Sequence, residues 1–246
     1  MHRVALITGG NSGIGNAVAK KLISLGYYVY ISGSDPRKTK QAALALGAEA
    51  IIADLRSLES IECIAAPFSE KGLDVLINNA AIVSFLPIDM LSEQSFDDHF
   101  HVNVRSPLFL IKALLKPLEK RKAAVTNISS VISQCGVPGF SVYAATKGAI
   151  EAVTRNLAIE LAPRCIRVNA VCPGAIDTPI FSKMGIPEDQ LETTESHIAS
   201  SIPLQRFGTP EEVADVVVAQ VEASYVTGAV WHVDGGVSTV ASHVSF

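Results

Sequence analysis

An apolar run, Val4-Ala5-Leu6-Ile7, passes through Thr8 directly into Gly9-Gly10-Asn11-Ser12-Gly13-Ile14-Gly15. Behind the glycines, Ile14, Ala17, Val18, Leu22 and Leu25 recur at helical spacing, and Gly26 closes the stretch. A strand, a glycine turn and an amphipathic helix in direct succession open a βαβ unit, which commits the chain to a parallel sheet.

The alternation continues to the end. Further apolar strands are predicted at 28–32, 50–53, 73–77, 123–128, 167–171 and 229–233, with helical stretches at 41–46, 58–68, 92–116, 143–162 and 210–222. The fourth of these helices stops at Pro163, which cannot continue it. No repeat or linker divides the chain. The expected fold class is α/β: a single-domain, Rossmann-type, doubly wound sheet of about seven parallel strands over residues 1–246, with helices on both faces.

Composition narrows the function classes. With 48% hydrophobic and 18% charged residues in 246, the chain is too apolar for disorder and long enough to bury a core without staples. A formal net charge of −4 gives no electrostatic case for nucleic acid or an anionic membrane. No apolar run reaches the ~18 residues of a membrane helix, and the N-terminal run is too short for a signal peptide, so a cytoplasmic protein is expected. Cys63, Cys135, Cys165 and Cys172 form no CxxC pair and are expected as buried thiols. The six histidines offer no HExxH, so no metal is expected. The cluster Lys116, Lys120, Arg121, Lys122 is expected as a solvated helix end.

Backbone N–H groups at a helix N-terminus, approached closely through glycines, suit a dinucleotide pyrophosphate. The end of the second strand discriminates the adenosine ribose: a carboxylate there suits NAD, a basic neighbour NADP. The segment is Ser32-Gly33-Ser34-Asp35-Pro36-Arg37-Lys38. Gly33 occupies the NAD-type carboxylate position and Ser34 the NADP-type basic one, Asp35 falls late, and Arg37 and Lys38 lie close by. The cofactor is therefore NAD or NADP, with the balance toward NADP.

Tyr143 and Lys147 stand at i and i+4 on one predicted helix face. An ammonium near a phenol favours the phenolate, so Lys147 is expected to lower the Tyr143 pKa into general acid/base range. Upstream, the fifth strand ends in Asn127-Ile128-Ser129-Ser130, and ligands in open α/β sheets sit at the carboxyl ends of strands. Asn78-Asn79-Ala80-Ala81 follows the fourth strand, Asn103-Val104 comes next, and Cys172-Pro173-Gly174-Ala175-Ile176-Asp177-Thr178-Pro179 follows the sixth.

Taken in order, TGGNSGIG, NNAA, Asn103, Ser130, YxxxK, PG-x-x-x-T and the tail motifs Tyr225-Val226-Thr227-Gly228 and Val233-Asp234-Gly235-Gly236 resemble the short-chain dehydrogenase/reductase family over almost the whole chain. The resemblance implies that Tyr143 protonates a carbonyl oxygen or deprotonates an alcohol, that Ser130 holds that oxygen, and that Lys147 tunes Tyr143 and binds the nicotinamide ribose. Asn103 would anchor a proton-relaying water. Gly9, Asn11, Ser12, Gly13, Ile14, Gly15, Ser34, Asp54, Leu55, Asn79, Ala80, Pro173, Gly174, Ile176 and Thr178 would contact the cofactor together with Tyr143 and Lys147, with Asp54 at the adenine and Ile176 and Thr178 at the carboxamide. Two departures stand out: Ala81 replaces the glycine of NNAG, and the helix before Tyr225 is about two residues short.

The substrate is expected over the nicotinamide, walled by 131–142 and by a helical lid at about 178–210 that contains Ile180, Phe181, Met184 and Ile186. Without an arginine cluster to hold phosphate or carboxylate, a small or cyclic secondary alcohol or ketone is expected. The family also implies a homotetramer, built on 92–116, 143–162 and the C-terminal strand and tail. Two alternatives share the fold: a non-catalytic NAD(P)-binding regulatory protein, and an epimerase or dehydratase. The first should have lost Tyr143 or Lys147, and the second usually carries a separate substrate domain.

Overall fold

A computed structural model describes residues 2–178 and 188–239. Seven strands form one sheet: β1 Val4–Thr8, β2 Tyr28–Gly33, β3 Glu49–Ile52, β4 Val75–Asn78, β5 Ala124–Ile128, β6 Arg167–Pro173 and β7 Val230–Val233. All six pairings are parallel, in the order β3-β2-β1-β4-β5-β6-β7. The order reverses at β1, between β2 and β4, and such a switch point opens a crevice at the carboxyl ends of the strands.

The helices are α1 Gly13–Ser24, α2 Pro36–Leu46, α3 Leu58–Ala65, α4 Glu93–Phe100, α5 Ser106–Ala113, α6 Leu115–Arg121, α7 Ser141–Leu161, α8 Glu188–Ser201 and α9 Pro210–Glu222. Local chemistry sets their ends. Asp35 caps α2 by accepting from Lys38 N at 3.0 Å, with Pro36 pre-set in the first turn and Gly47 in the left-handed region at its end. Thr209 and Glu212 cap α9 reciprocally. That helix buries Val213, Ala214, Val217, Val218 and Val221 in one cluster with Ala17, Val18 and Leu22 of α1. On the other face, Ile61 and Ile64 of α3, Leu110 and Ile111 of α5, Leu118 of α6 and Leu161 of α7 pack on Leu6, Leu76 and Val125. The sheet is thus covered on both sides, as the apolar strands require.

Several expectations are corrected. The helix predicted at 92–116 is broken by a π turn over His101–Arg105. Pro107 offers no N–H to the carbonyl of Asn103 four residues back, and a widened turn accommodates the mismatch. The thiols are not uniformly buried: Cys63 and Cys165 are exposed, Cys135 is half-buried and Cys172 is buried. Nor is the basic cluster simply solvated. Lys120 donates to the Glu70 carbonyl and Arg121 to the Lys71 carbonyl, tying α6 to the loop before β4.

Within the predicted lid, α8 is helical, while Ile180, Phe181, Met184 and Ile186 lie outside the described residues. The two ends of the segment meet: Asp177 N donates to the Gly208 carbonyl at 2.9 Å, and Gly208 N to that of Ala175 at 3.0 Å. Among the described residues no helix is long and apolar enough to cross a membrane, and no cluster of His, Cys, Asp or Glu could hold a metal.

Candidate active site

A groove of about 610 Å³ lies across the switch point. Its lining brings together Gly9, Asn11, Ser12, Gly13, Ile14, Ser34, Asp54, Leu55, Asn79, Ala80 and Thr178, as expected, and adds Lys38, Arg56, Ile82, Val83 and Val102. Gly9 has φ +65°, and a Cβ there would come within 3.0 Å of Asn79 Nδ2 and the Ala80 backbone. At Gly15 a Cβ would overlap the Asn79 amide and sit 2.6 Å from the Gly9 carbonyl, so Gly15 holds the loop tight from behind. The first-turn N–H groups of α1 have no intrahelical acceptor. This glycine cradle, open at a helix N-terminus and of a size suited to a cofactor, fits a dinucleotide.

Asn79 does more than line the groove. Its side chain donates to the carbonyls of Thr8 at 2.9 Å and Gly9 at 3.2 Å, while the Asn79 and Ala80 N–H groups both donate to Thr8 Oγ1 at 3.0 Å. These bonds stitch the end of β4 to the glycine loop. Asp54 is engaged by the Arg56 guanidinium at 2.7 Å, which holds its carboxyl below the usual carboxylate range. Gly15, Pro173, Gly174, Ile176, Tyr143 and Lys147 are not part of the groove lining. The Ile176 side chain is buried in the core beside α9, because Gly208 leaves room for it there.

Tyr143 and Lys147 lie buried on α7 beside the carboxyl end of β5. Ser130 caps the 3-10 turn Val131–Ser133, accepting from Ile132 N at 3.4 Å, and its hydroxyl bears on the Tyr143 phenol in the direction that favours the phenolate. Asn103 grips the Ile82 peptide from both sides. Its Oδ1 accepts from Ile82 N and its Nδ2 donates to Ile82 O, each at 2.9 Å, and the same Nδ2 donates to Thr146 Oγ1 at 3.1 Å. Both amide hydrogens are therefore committed, and Asn103 ties the groove wall to α7 one turn from the phenol. Its backbone carbonyl, four residues before Pro107, lacks the ordinary α-helical donor.

The electrostatics correct one expectation. Burial pushes the Tyr143 phenol up to about 12, with the Ser130 hydroxyl working against the rise. Burial also pulls the Lys147 ammonium down to about 8. Its Nζ donates to the Ile128 carbonyl at 2.7 Å and lies 5.5 Å from the Tyr143 ring centroid. Desolvation dominates the shift, so the phenol is protonated at neutral pH. The loops after β4 and β5 meet through apolar residues: Phe85 meets Phe140 edge-on at 5.8 Å, and Leu86 N donates to the Gly139 carbonyl at 2.7 Å.

Sequence reasoning missed Arg56, Ile82, Val83 and Val102 as groove residues. Ile82 and Val83 directly continue the Asn78–Ala81 run past β4, and Arg56 follows Asp54 by two, so proximity to the strand ends was the available signal.

Comparison with known proteins agrees with this geometry. Residues 9–238 match the family model described as enoyl-(acyl carrier protein) reductase. The chain is similar to the 3-oxoacyl-(acyl-carrier-protein) reductase of Rickettsia prowazekii (strain Madrid E), 37% identical over 97% of this chain and 98% of that one. A solved short chain dehydrogenase/reductase family protein superposes with a TM-score of 0.87 at 37% identity, covering 97% of this chain and 98% of the other. The 3-ketoacyl-(acyl-carrier-protein) reductase from Brucella melitensis, solved in complex with NADH, gives a TM-score of 0.88 at 30% identity, covering 96% of this chain and 98% of that one.

Proposed function

This chain belongs to the short-chain dehydrogenase/reductase family and is an NAD(P)-dependent oxidoreductase, and from that premise we propose that it interconverts a neutral ketone and its secondary alcohol. The observation that carries the proposal is the buried Tyr143 phenol, one helical turn from the buried Lys147 and with Ser130 acting on its ionisation. Reduced nicotinamide supplies the hydride when bound. Tyr143, protonated across the neutral range, gives its proton to the carbonyl oxygen, and Ser130 holds that oxygen in line. Lys147 would hold a ribose hydroxyl, and the Asn103 carbonyl the water that resupplies the proton.

The segments flanking the site, 82–88 and 131–142, contain no charged residue, which suits a small or cyclic ketone. A 3-oxoacyl thioester is the second reading, favoured by the name that the Rickettsia relative carries. NADP(H) is the proposed cofactor. Gly33 provides no carboxylate, and a Cβ there would overlap Thr39 Oγ1 and reach within 2.7 Å of Asn11 Nδ2, while Lys38 and Arg56 line the groove nearby. We take 1–246 as one domain with a lid at about 178–210, whose ends are joined through Asp177 and Gly208. A homotetramer is proposed on the exposed Ile159 of α7 and Phe109 of α5, and the cytoplasm on four free thiols. The test is a panel of cyclic ketones, open-chain ketones and 3-oxoacyl thioesters, followed at 340 nm with NADH and NADPH in parallel. Turnover of no ketone with either cofactor would overturn the proposal.

A further inference from the structure

The face of α7 that carries Tyr143 and Lys147 buries one more charge. Glu151 follows at the same four-residue spacing and is 6% exposed. Among the described residues, Lys147 and Glu151 are the only Lys, Arg, Asp or Glu side chains buried to this degree. A desolvated carboxylate must be offset by hydrogen bonds. Here Oε1 accepts from the Ser129 hydroxyl at 2.8 Å and the Ser133 hydroxyl at 2.6 Å, and Oε2 lies 3.9 Å from Arg155 Nη1.

Ser129 and Ser133 bracket Ser130. Each hydroxyl has one hydrogen and a second acceptor in reach: the Lys147 carbonyl at 3.3 Å for Ser129, the Ser130 carbonyl at 2.8 Å for Ser133. The shorter bonds to an ionised acceptor are the stronger ones, so both hydrogens go to Glu151. A single carboxylate oxygen on α7 therefore holds the turn on both sides of Ser130.

We infer that Glu151 is a positioning residue for the reaction: it pins the 129–133 turn to the helix that carries Tyr143 and so fixes the Ser130 hydroxyl relative to the phenol. The inference rests on the roles proposed above for Tyr143 and Ser130. Glu151 acts on Ser130 through Ser129 and Ser133.

The test compares Glu151→Ala, Glu151→Gln and Ser133→Ala with the wild-type chain, on the ketone that the wild type reduces fastest. Glu151→Ala should lower kcat roughly ten- to a hundredfold, as expected when a reacting group is misplaced by about 1 Å. The Kd for NADPH, read from its fluorescence, should stay within about twofold, which also shows that the variant folds. Glu151→Gln keeps an acceptor oxygen and should recover most of the loss, and Ser133→Ala should show a smaller loss of the same kind. The phenol limb of the Glu151→Ala pH profile should move to higher pH, because a loosened Ser130 no longer favours the phenolate. Unchanged kcat in Glu151→Ala would overturn the inference, as would an equal loss of kcat and NADPH affinity without rescue by Gln. Failure of the wild type on every ketone would remove the underlying reading instead, before any variant is compared.

Discussion

Lys147 lies with its ammonium 5.5 Å from the centroid of the Tyr143 ring, yet spends a 2.7 Å hydrogen bond on the Ile128 carbonyl of β5. The lysine is anchored to the sheet and presented to the site from there. Burial lowers its pKa from the ordinary 10.5 to about 8. Between those values the folded chain binds fewer protons than the unfolded one, so stability rises with pH through that window. The wild type should therefore gain stability relative to Lys147→Met as pH climbs from about 8 to 10.5, with a constant difference below. Thermal melts of both proteins at stepped pH read this directly, and a flat or falling difference across the window would contradict it.

Asn103 gives a prediction about stability as well as chemistry. Replacing it with Ala strips both partners from the Ile82 peptide and one from Thr146. A destabilisation of about 2–4 kcal/mol is expected from the unsatisfied buried groups, measurable by urea unfolding. A loss of turnover with full stability would mean that the side chain does not hold the groove wall.

Much of this architecture is legible in the sequence because it is local. The glycine loop sits between a strand and a helix within residues 4–25, and Tyr143 and Lys147 meet through helix periodicity alone. What was not legible depends on distant packing. The direction of the phenol shift follows from how deeply α7 is buried, which no spacing encodes. The Glu151 contacts join residues 18 and 22 positions apart. The break at 101–105 did have a signal, Pro107, but helical periodicity across it masked the interruption.

At the glycine loop, Gly15→Ala should be poorly tolerated. The added methyl overlaps the Asn79 amide and crowds the Gly9 carbonyl, and overpacking of this kind costs about 1–3 kcal/mol. Because the displaced atoms form the cradle, NADPH affinity should fall about tenfold or more, as read by fluorescence titration. Wild-type affinity would show that the loop has room to spare.

For cofactor choice, Lys38 is the basic side chain beside Ser34 in the groove. Lys38→Ala should weaken NADPH binding roughly tenfold, in line with the loss of one charge-assisted hydrogen bond, and leave NADH binding unchanged. An equal effect on both cofactors would remove Lys38 from discrimination of the 2′-phosphate.

The most direct measurement is single-turnover ketone reduction by Tyr143→Phe, alongside its NADPH affinity. The account predicts that the chemical step falls by about 10²–10⁴-fold, the contribution of one positioned proton donor, while NADPH binds as in the wild type. Reduction at the wild-type rate would contradict it.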